Sequence, residues 1–350
     1  MYFASDNTSP AHPKVLDALA KANEGYMPSY GADPIMDEVR DRIRDRFEAP
    51  EAAVYLVATG STANALSLAT FTDPWTAIFC HRISHVEEDE CGAPEFYTGG
   101  AKLTLVDGAH GRMDPDALRH AIRFTGRGGV HNVQRGMVTL TNVTEAGTVY
   151  TVAQVEEIAR TAREFGLPVH MDGARFANAI VATNATPAEM TWRAGVDVLS
   201  FGGTKNGLMG VEAVVIFDPD KAWEFELRRK RGGHLFSKHR YLSAQMLAYL
   251  EDDLWLQMAR DANHAGQLLS DELMYLDGAA LVHPADANMA FPSLPRALHR
   301  KAKAAGAQYN IWPGDQSLDG PDDEPVSARL VCSWCTTEDD VDAVLSTFKG

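Results

Sequence analysis

Between Ala52 and Asp218 the chain alternates short apolar runs with longer amphipathic ones, and that rhythm leaves few folds open. AAVYLVAT (52–59), TAIFC (76–80), KLTLVD (102–107), MVTLTNV (137–143), LPVHMD (167–172), DVLSF (197–201) and EAVVIFD (212–218) are short and bounded by turn residues. They read as buried strands. Between them STANALSLAT, DPDALRHAIRF and VAQVEEIARTAREFG place apolar residues at helical spacing, the last closed by Gly166. Alternation of this kind predicts an α/β fold with a mostly parallel sheet covered on both faces.

The flanks differ in texture. VLDALAKA and IMDEVRDRIRDRF read as helices, the second opened by Asp33 as N-cap and Pro34 at the first helical position. The segment 241–273 is one long helical pattern, straight or bent. Short strands (MAFPSL, QYNIW, ARLVCSW) and helices (RALHRKAKAAG, TEDDVDAVLSTF) follow, an α+β pattern. The expected division is a large domain over 1–240, whose N-terminal segment reaches the active site, and a smaller C-terminal α+β domain over 241–350.

In parallel sheets chemistry collects at the carboxyl ends of strands. Two of the runs end in reactive groups there: LPVHMD at Asp172, and DVLSF in the loop GGTK with Lys205. An acid and an amine at one sheet edge suit pyridoxal phosphate. The lysine condenses with the cofactor's aldehyde, and the carboxylate keeps the pyridine nitrogen protonated, so that Cα of an amino acid can carry negative charge. The glycines beside Lys205 would let the backbone approach the ring. Taken alone, Lys205 would read as a solvated surface lysine.

A second feature supports the pairing. In ATGSTANA, Gly60, Ser61 and Thr62 lie between a strand and a helix, where free N–H groups and the helix dipole bind phosphate. An ordinary Ser/Thr N-cap has the same appearance. His85, in the loop after TAIFC, is placed to cover a cofactor ring or move protons, with His81 its rival by position. Neither GxGxxG nor GxxxxGK[ST] occurs, so a dinucleotide or nucleoside triphosphate role lacks its fingerprint.

Composition narrows the partners. A formal net charge of −16 argues against nucleic acid or an anionic membrane. No apolar run approaches the length that spans a bilayer, and MYFASDNTSPAHP has neither the basic start nor the apolar core of a signal peptide; a cytoplasmic protein is expected. Four scattered cysteines make no disulfide framework. Cys332 and Cys335 form a lone CxxC with no second pair to complete a zinc site, so no metal is expected; a redox role and two half-buried small residues are the competing readings.

The ordered set SDNTSPAHP, YGADP, TGSTAN, the His85 loop, TNVTEAGTVY, HMDGAR, the Lys205 loop, RRKRGGHLFSKHRYLSAQ and ARLV covers nearly the whole chain. It resembles the low-specificity L-threonine aldolases, enzymes of the aspartate-aminotransferase-like fold (fold type I) that use pyridoxal phosphate. The resemblance implies a large domain with a seven-stranded, mostly parallel sheet and a smaller α+β domain. It also implies roles. Lys205 would hold the cofactor and Asp172 the ring nitrogen. Arg175 would reach the ring oxygen or the substrate carboxylate. Gly60, Ser61 and Thr62 would hold the phosphate, with His85 over the ring. Ser5 and Arg329 would bind the amino-acid carboxylate, a task suited to an arginine fork. Tyr30 and basic residues of 228–240, with Lys238 and Arg240 the candidates, would approach the site of a neighbouring subunit, implying a dimer or tetramer with shared sites. A solvated basic helix end is the other reading of that stretch.

One departure stands out. Many relatives carry a second active-site histidine where this chain reads TNVTEAG. Thr144 takes its place, or Glu145 if the alignment slips, which leaves His85, a water molecule or Glu145 to accept the substrate's hydroxyl proton. The implied reaction is cleavage of L-threonine, L-allo-threonine and bulkier β-hydroxy-α-amino acids such as phenylserine to glycine and an aldehyde. Transamination or β-elimination on the same cofactor, and a non-catalytic amino-acid sensor, are the alternatives.

Overall fold

A computed structural model describes residues 1–349. Seven strands form the large sheet: β1 (Ala53–Val57), β2 (Thr76–His81), β3 (Lys102–Val106), β4 (Gln134–Thr141), β5 (Val169–Gly173), β6 (Val198–Phe201) and β7 (Glu212–Ile216), in the order β1-β7-β6-β5-β4-β2-β3. Every pairing is parallel except those of β7, which runs against both its neighbours. The carboxyl ends of β1, β2, β4, β5 and β6 therefore share one edge with the start of β7. Three strands are also clamped by a buried polar group. His170 on β5 bonds Thr139 on β4 (2.8 Å) and Ser200 on β6 (2.9 Å). Burial pushes its pKa down to about 4, so the ring is neutral and serves the sheet, not catalysis.

The helix Gly60–Phe71 is buried without a break from Thr62 to Thr70 and lacks a polar face, as a helix wrapped by protein must. Thr59 caps it, its hydroxyl accepting the Thr62 N–H (3.2 Å). Asp33 caps the helix Pro34–Arg46 as expected, accepting from Met36 N–H (3.0 Å). The long 241–273 pattern is bent: helices Arg240–Leu250 and Leu254–Leu273 meet at Glu251–Asp253, where Asp252 and Asp253 take left-handed φ of 50° and 56°.

The core of the large sheet continues through Leu242, Met246, Tyr249, Trp255 and Met258. A second core begins at Ala265 and Leu269 and includes Leu294, Leu330, Val344 and Phe348. It lies against an antiparallel sheet of β8 (Ala280–Leu281), β9 (Met289–Ala290), β10 (Pro292–Pro295), β11 (Asn310–Ile311) and β12 (Pro325–Val331), ordered β11-β12-β10-β8 with β9 also on β12. Phe3 is fully buried in this second core and bonded on both sides, to Gln308 O (2.7 Å) and from Val331 N–H (2.8 Å). The chain then passes to the large sheet, where His12 N–H reaches Gly207 O (2.9 Å) in the Lys205 loop. The first dozen residues thus tie the small sheet to the edge that carries Lys205.

Candidate active site

Where five strand ends converge, a cavity of about 270 Å³ opens, lined by Gly60, Ser61, His85, Asp172, Arg175 and Lys205 together with Asn7, Asn64, Glu145 and Glu212. Its volume is just below the range of roughly 300–1,000 Å³ usual for small-molecule sites. Seven of the residues singled out in the sequence meet there, Glu145 among them.

Lys205 sits in the turn Thr204–Asn206, which Gly207 closes at φ +89°. The two glycines before it are dictated by packing. A Cβ on Gly202 would stand 2.3 Å from Ala174 O, and one on Gly203 2.7 Å from Val211 O. The amine forms no ion pair among the described residues, and burial first, then the Arg175 charge, pulls its pKa below the usual lysine range. It is a half-buried amine without an ion-pair partner that lines the cavity, and a lowered pKa favours the free base, the form that attacks an aldehyde.

Asp172 is the last residue but one of β5 and is 2% exposed. Its Oδ1 accepts Ala174 N–H (3.0 Å) and its Oδ2 accepts Asn64 Nδ2 (2.9 Å). Asn64 also donates to Glu90 Oε1 (2.9 Å), which accepts from His85 Nδ1 (2.8 Å). The carboxylate and the imidazole are therefore parts of one buried chain of hydrogen bonds. Glu90 fixes the tilt of His85 and pushes its pKa up; burial pushes that of Glu90 itself up. His81 makes its bonds at Gly108 O and Ile83 N–H instead.

Gly60 and Ser61 line the cavity at the helix N-terminus, and the space where a Gly60 Cβ would stand is open to 4 Å. Thr62 lies one step inside, 6% exposed, with its N–H taken by Thr59 and its hydroxyl bonded to Thr59 Oγ1 (2.8 Å) and 3.4 Å from His234 Nδ1. Arg175 is engaged in a two-pronged pair with Asp6 (Nε–Oδ2 2.6 Å, Nη2–Oδ1 2.9 Å). Asn288 donates to the same carboxylate (3.2 Å).

Arg329 on β12 lies over Trp312 at 4.9 Å, gives one long bond to Ala4 O (3.4 Å), and keeps its buried Nε without a partner. Ser5 follows Ala4 and accepts Asn7 N–H (3.2 Å); neither Ser5 nor Arg329 lines the cavity itself, although Asn7 does. Tyr30, Lys238 and Arg240 do not line this protomer's cavity. Tyr30 is half exposed beneath Lys230 (5.0 Å), Lys238 is exposed, and Arg240 Nη1 donates to the carbonyls of Ala22 (3.1 Å) and Gly25 (3.0 Å). His234 of the same stretch does approach, through Thr62 and through Tyr97 (2.7 Å).

Asp6, Asn64, Glu90 and Glu212 are absent from the sequence-based candidates. Asn64 is inside the TGSTAN motif, which was the available signal. Glu90 closes an acidic run with the appearance of a solvated helix start. The thiols are all free, and Cys332 is fully buried, where burial raises its pKa and disfavours the thiolate that exchange chemistry needs.

The donor set fits pyridoxal phosphate: an amine without an ion-pair partner, a hydrogen-bonded carboxylate and a roomy helix N-terminus meet in one cavity. His85, Glu90 and Asp172 also offer atoms within 4.8 Å of one another; the bonds from Asn64 and His85 take up Glu90 Oε1 and Asp172 Oδ2, while Glu90 Oε2 is buried without a partner.

Comparison with known proteins agrees. Residues 2–295 match the beta-eliminating lyase family. A low-specificity L-threonine aldolase of Pseudomonas aeruginosa is 39% identical over 95% of this chain and 93% of its own length, and one of another Pseudomonas strain is 38% identical over 96% and 93%. The threonine aldolase structure of Leishmania major superposes with a TM-score of 0.91 at 26% identity, covering 100% of this chain and 99% of its own. The chain belongs to the beta-eliminating lyase family, among the low-specificity L-threonine aldolases, on the fold-type-I scaffold that binds pyridoxal phosphate.

Proposed function

We propose that the protein cleaves L-threonine, L-allo-threonine and related β-hydroxy-α-amino acids such as phenylserine to glycine and an aldehyde. The observation that carries this reading is the meeting of an unpaired Lys205 amine and the Asp172 carboxylate in one cavity capped by the Gly60–Ser61 helix start. Pyridoxal phosphate held there supplies the electron sink for negative charge at Cα.

The chain's own residues do the rest. Lys205 would hold the cofactor and Asp172 its ring nitrogen. Gly60 and Ser61 would take the phosphate on their amides, and His85, steadied by Glu90, would cover the ring. The orphaned Nε of Arg329, with Ser5, would clamp the substrate carboxylate and so orient the Cα–Cβ bond. Arg175, held by Asp6, would act as a fixed positive charge facing Lys205.

We further propose a cytoplasmic homo-oligomer, a dimer or tetramer in which Tyr30, Lys238 and Arg240 approach a neighbour's site. Support comes from the exposed Phe96 and Leu227, which line an open groove, from the exposed Trp223, and from the position of Tyr30, Lys238 and Arg240 outside their own cavity. No helix among the described residues is long and apolar enough to cross a membrane.

Incubation with the three substrates, with glycine and aldehyde quantified, tests the reaction. Equimolar glycine and aldehyde is the expected result. A keto acid would identify transamination or β-elimination instead, and amino-acid binding without any product would favour a sensor.

A further inference from the structure

The turn after β4 holds the two residues that compete for the position of the relatives' second histidine, and the structure separates them. Thr144 is fully buried and spent on the turn: its Oγ1 meets Thr148 Oγ1 (2.9 Å), and its N–H donates to Thr148 O (2.9 Å). Glu145 points the other way and lines the cavity with Lys205, Asp172, His85 and Arg175. Its Oε1 accepts the His85 backbone N–H (3.0 Å), which fixes the carboxyl's direction. Protein surrounds the side chain, and the access it retains is through the cavity.

The other acid–base groups of the site are occupied. Both Asp172 oxygens accept N–H bonds. Glu212 accepts Gly203 N–H (2.6 Å) and is 6% exposed, and the Glu90 side chain is fully buried. His85 is tied through Nδ1 to Glu90 Oε1 (2.8 Å), the bond that fixes its ring as the cofactor's cover. We propose that Glu145 is the catalytic base that removes the proton from the substrate's β-hydroxyl; this rests on the retro-aldol reading above.

The step balances. The β-hydroxyl proton passes to the Glu145 carboxylate and the O–H pair becomes the aldehyde π bond. The Cα–Cβ pair stays with Cα, which then gains a proton, and glycine and aldehyde leave with no external oxidant or reductant. The groups facing Glu145 are Asp172 from β5, His85 from the segment after β2, Lys205 and Arg175 at the cavity wall, and, farther off, Tyr150 and Arg329. Burial and the Asp172 charge push its pKa up to about 7, against the pull of His85 and Lys205, a value suited to a base at neutral pH.

The test compares wild type with Glu145→Gln in three measurements: cleavage of L-phenylserine, exchange of the glycine α-proton with solvent deuterium, and infrared titration of the cofactor-free protein. Exchange needs the cofactor site but no hydroxyl base. The variant should lose cleavage by about 10²–10⁴-fold while exchange stays within about tenfold. The wild-type-minus-variant infrared spectrum should contain a carboxyl that loses its proton near pH 7. Cleavage within about threefold of wild type, or equal loss of both reactions, overturns the proposal, as does a Glu145 already ionised at pH 5. If Glu145→Gln does not fold, Glu145→Asp should lower cleavage and spare exchange; unchanged cleavage overturns the proposal there too. A wild type that exchanges glycine yet releases no aldehyde contradicts the reaction itself, and with it the role.

Discussion

Asp6 and Arg175 form the site's most enclosed ion pair, with side chains 1% and 12% exposed. Burial raises the Asp6 pKa, but the guanidinium outweighs it and the net shift is downward. Asp6→Ala should therefore cost about 3–5 kcal/mol in urea unfolding at neutral pH, because a buried cation is left without its partner. The sign with pH follows. A depressed carboxylate stabilises the fold above its unfolded value of about 3.9, and that contribution is lost as pH falls through the folded value, so the penalty should shrink in strong acid. At His85 the shift is upward and caused first by the Glu90 bond. Glu90→Gln should lower the His85 pKa, read by NMR titration of labelled histidine; an unmoved pKa would mean the carboxylate does not set its charge. Lys205, Asp172, Gly60 and Ser61 were legible in the sequence because each lies near a strand end or at a helix start. Glu90 was not, since its burial is decided by Asn64 and His85, which adjoin it only once β2 and the Gly60–Phe71 helix have packed.

At the scale of elements, β7 starts at the same edge at which its neighbours end. This brings Glu212 into the cavity wall, where it holds the Lys205 loop through Gly203 N–H. Its pKa is pushed up to about 7 by burial. A raised carboxyl stabilises the fold below the unfolded value, and the contribution disappears as pH rises through the folded one. Glu212→Gln should therefore gain stability relative to wild type between pH 5 and 8, approaching about 3 kcal/mol for a shift from 4.5 to about 7. Melting temperatures across that range decide it; a constant difference would contradict the shift. Gly202→Ala should destabilise by about 1–3 kcal/mol through the close Ala174 carbonyl and weaken cofactor retention, measured as the bound-cofactor absorbance left after dialysis. The seven strands of the large sheet were legible because their apolar runs are short and bounded. The antiparallel sense of β7 was not, because direction follows from connections and not from hydropathy. β8 also escaped notice: two residues are too few to establish a period.

Across the whole molecule, the first twelve residues are a strap. Phe3 is packed in the small core, Asp6 and Asn7 border the cavity, and His12 grips the Lys205 loop. The helix Leu254–Leu273 spans the same distance, with Trp255 in one core and Leu269 in the other. Residues of the small sheet's region thus reach the N-terminal segment beside the cavity, Asn288 at Asp6 and Arg329 at Ala4. The family motifs announced that union, and the Asp6–Arg175 pair that anchors the strap became visible only in three dimensions. The account stands on Lys205 as the point of cofactor attachment. Borohydride reduction of the cofactor-loaded protein, followed by peptide mass spectrometry, tests this directly: a reduced pyridoxyl adduct on Lys205 is predicted, and an adduct confined to any other lysine, or none, would contradict it.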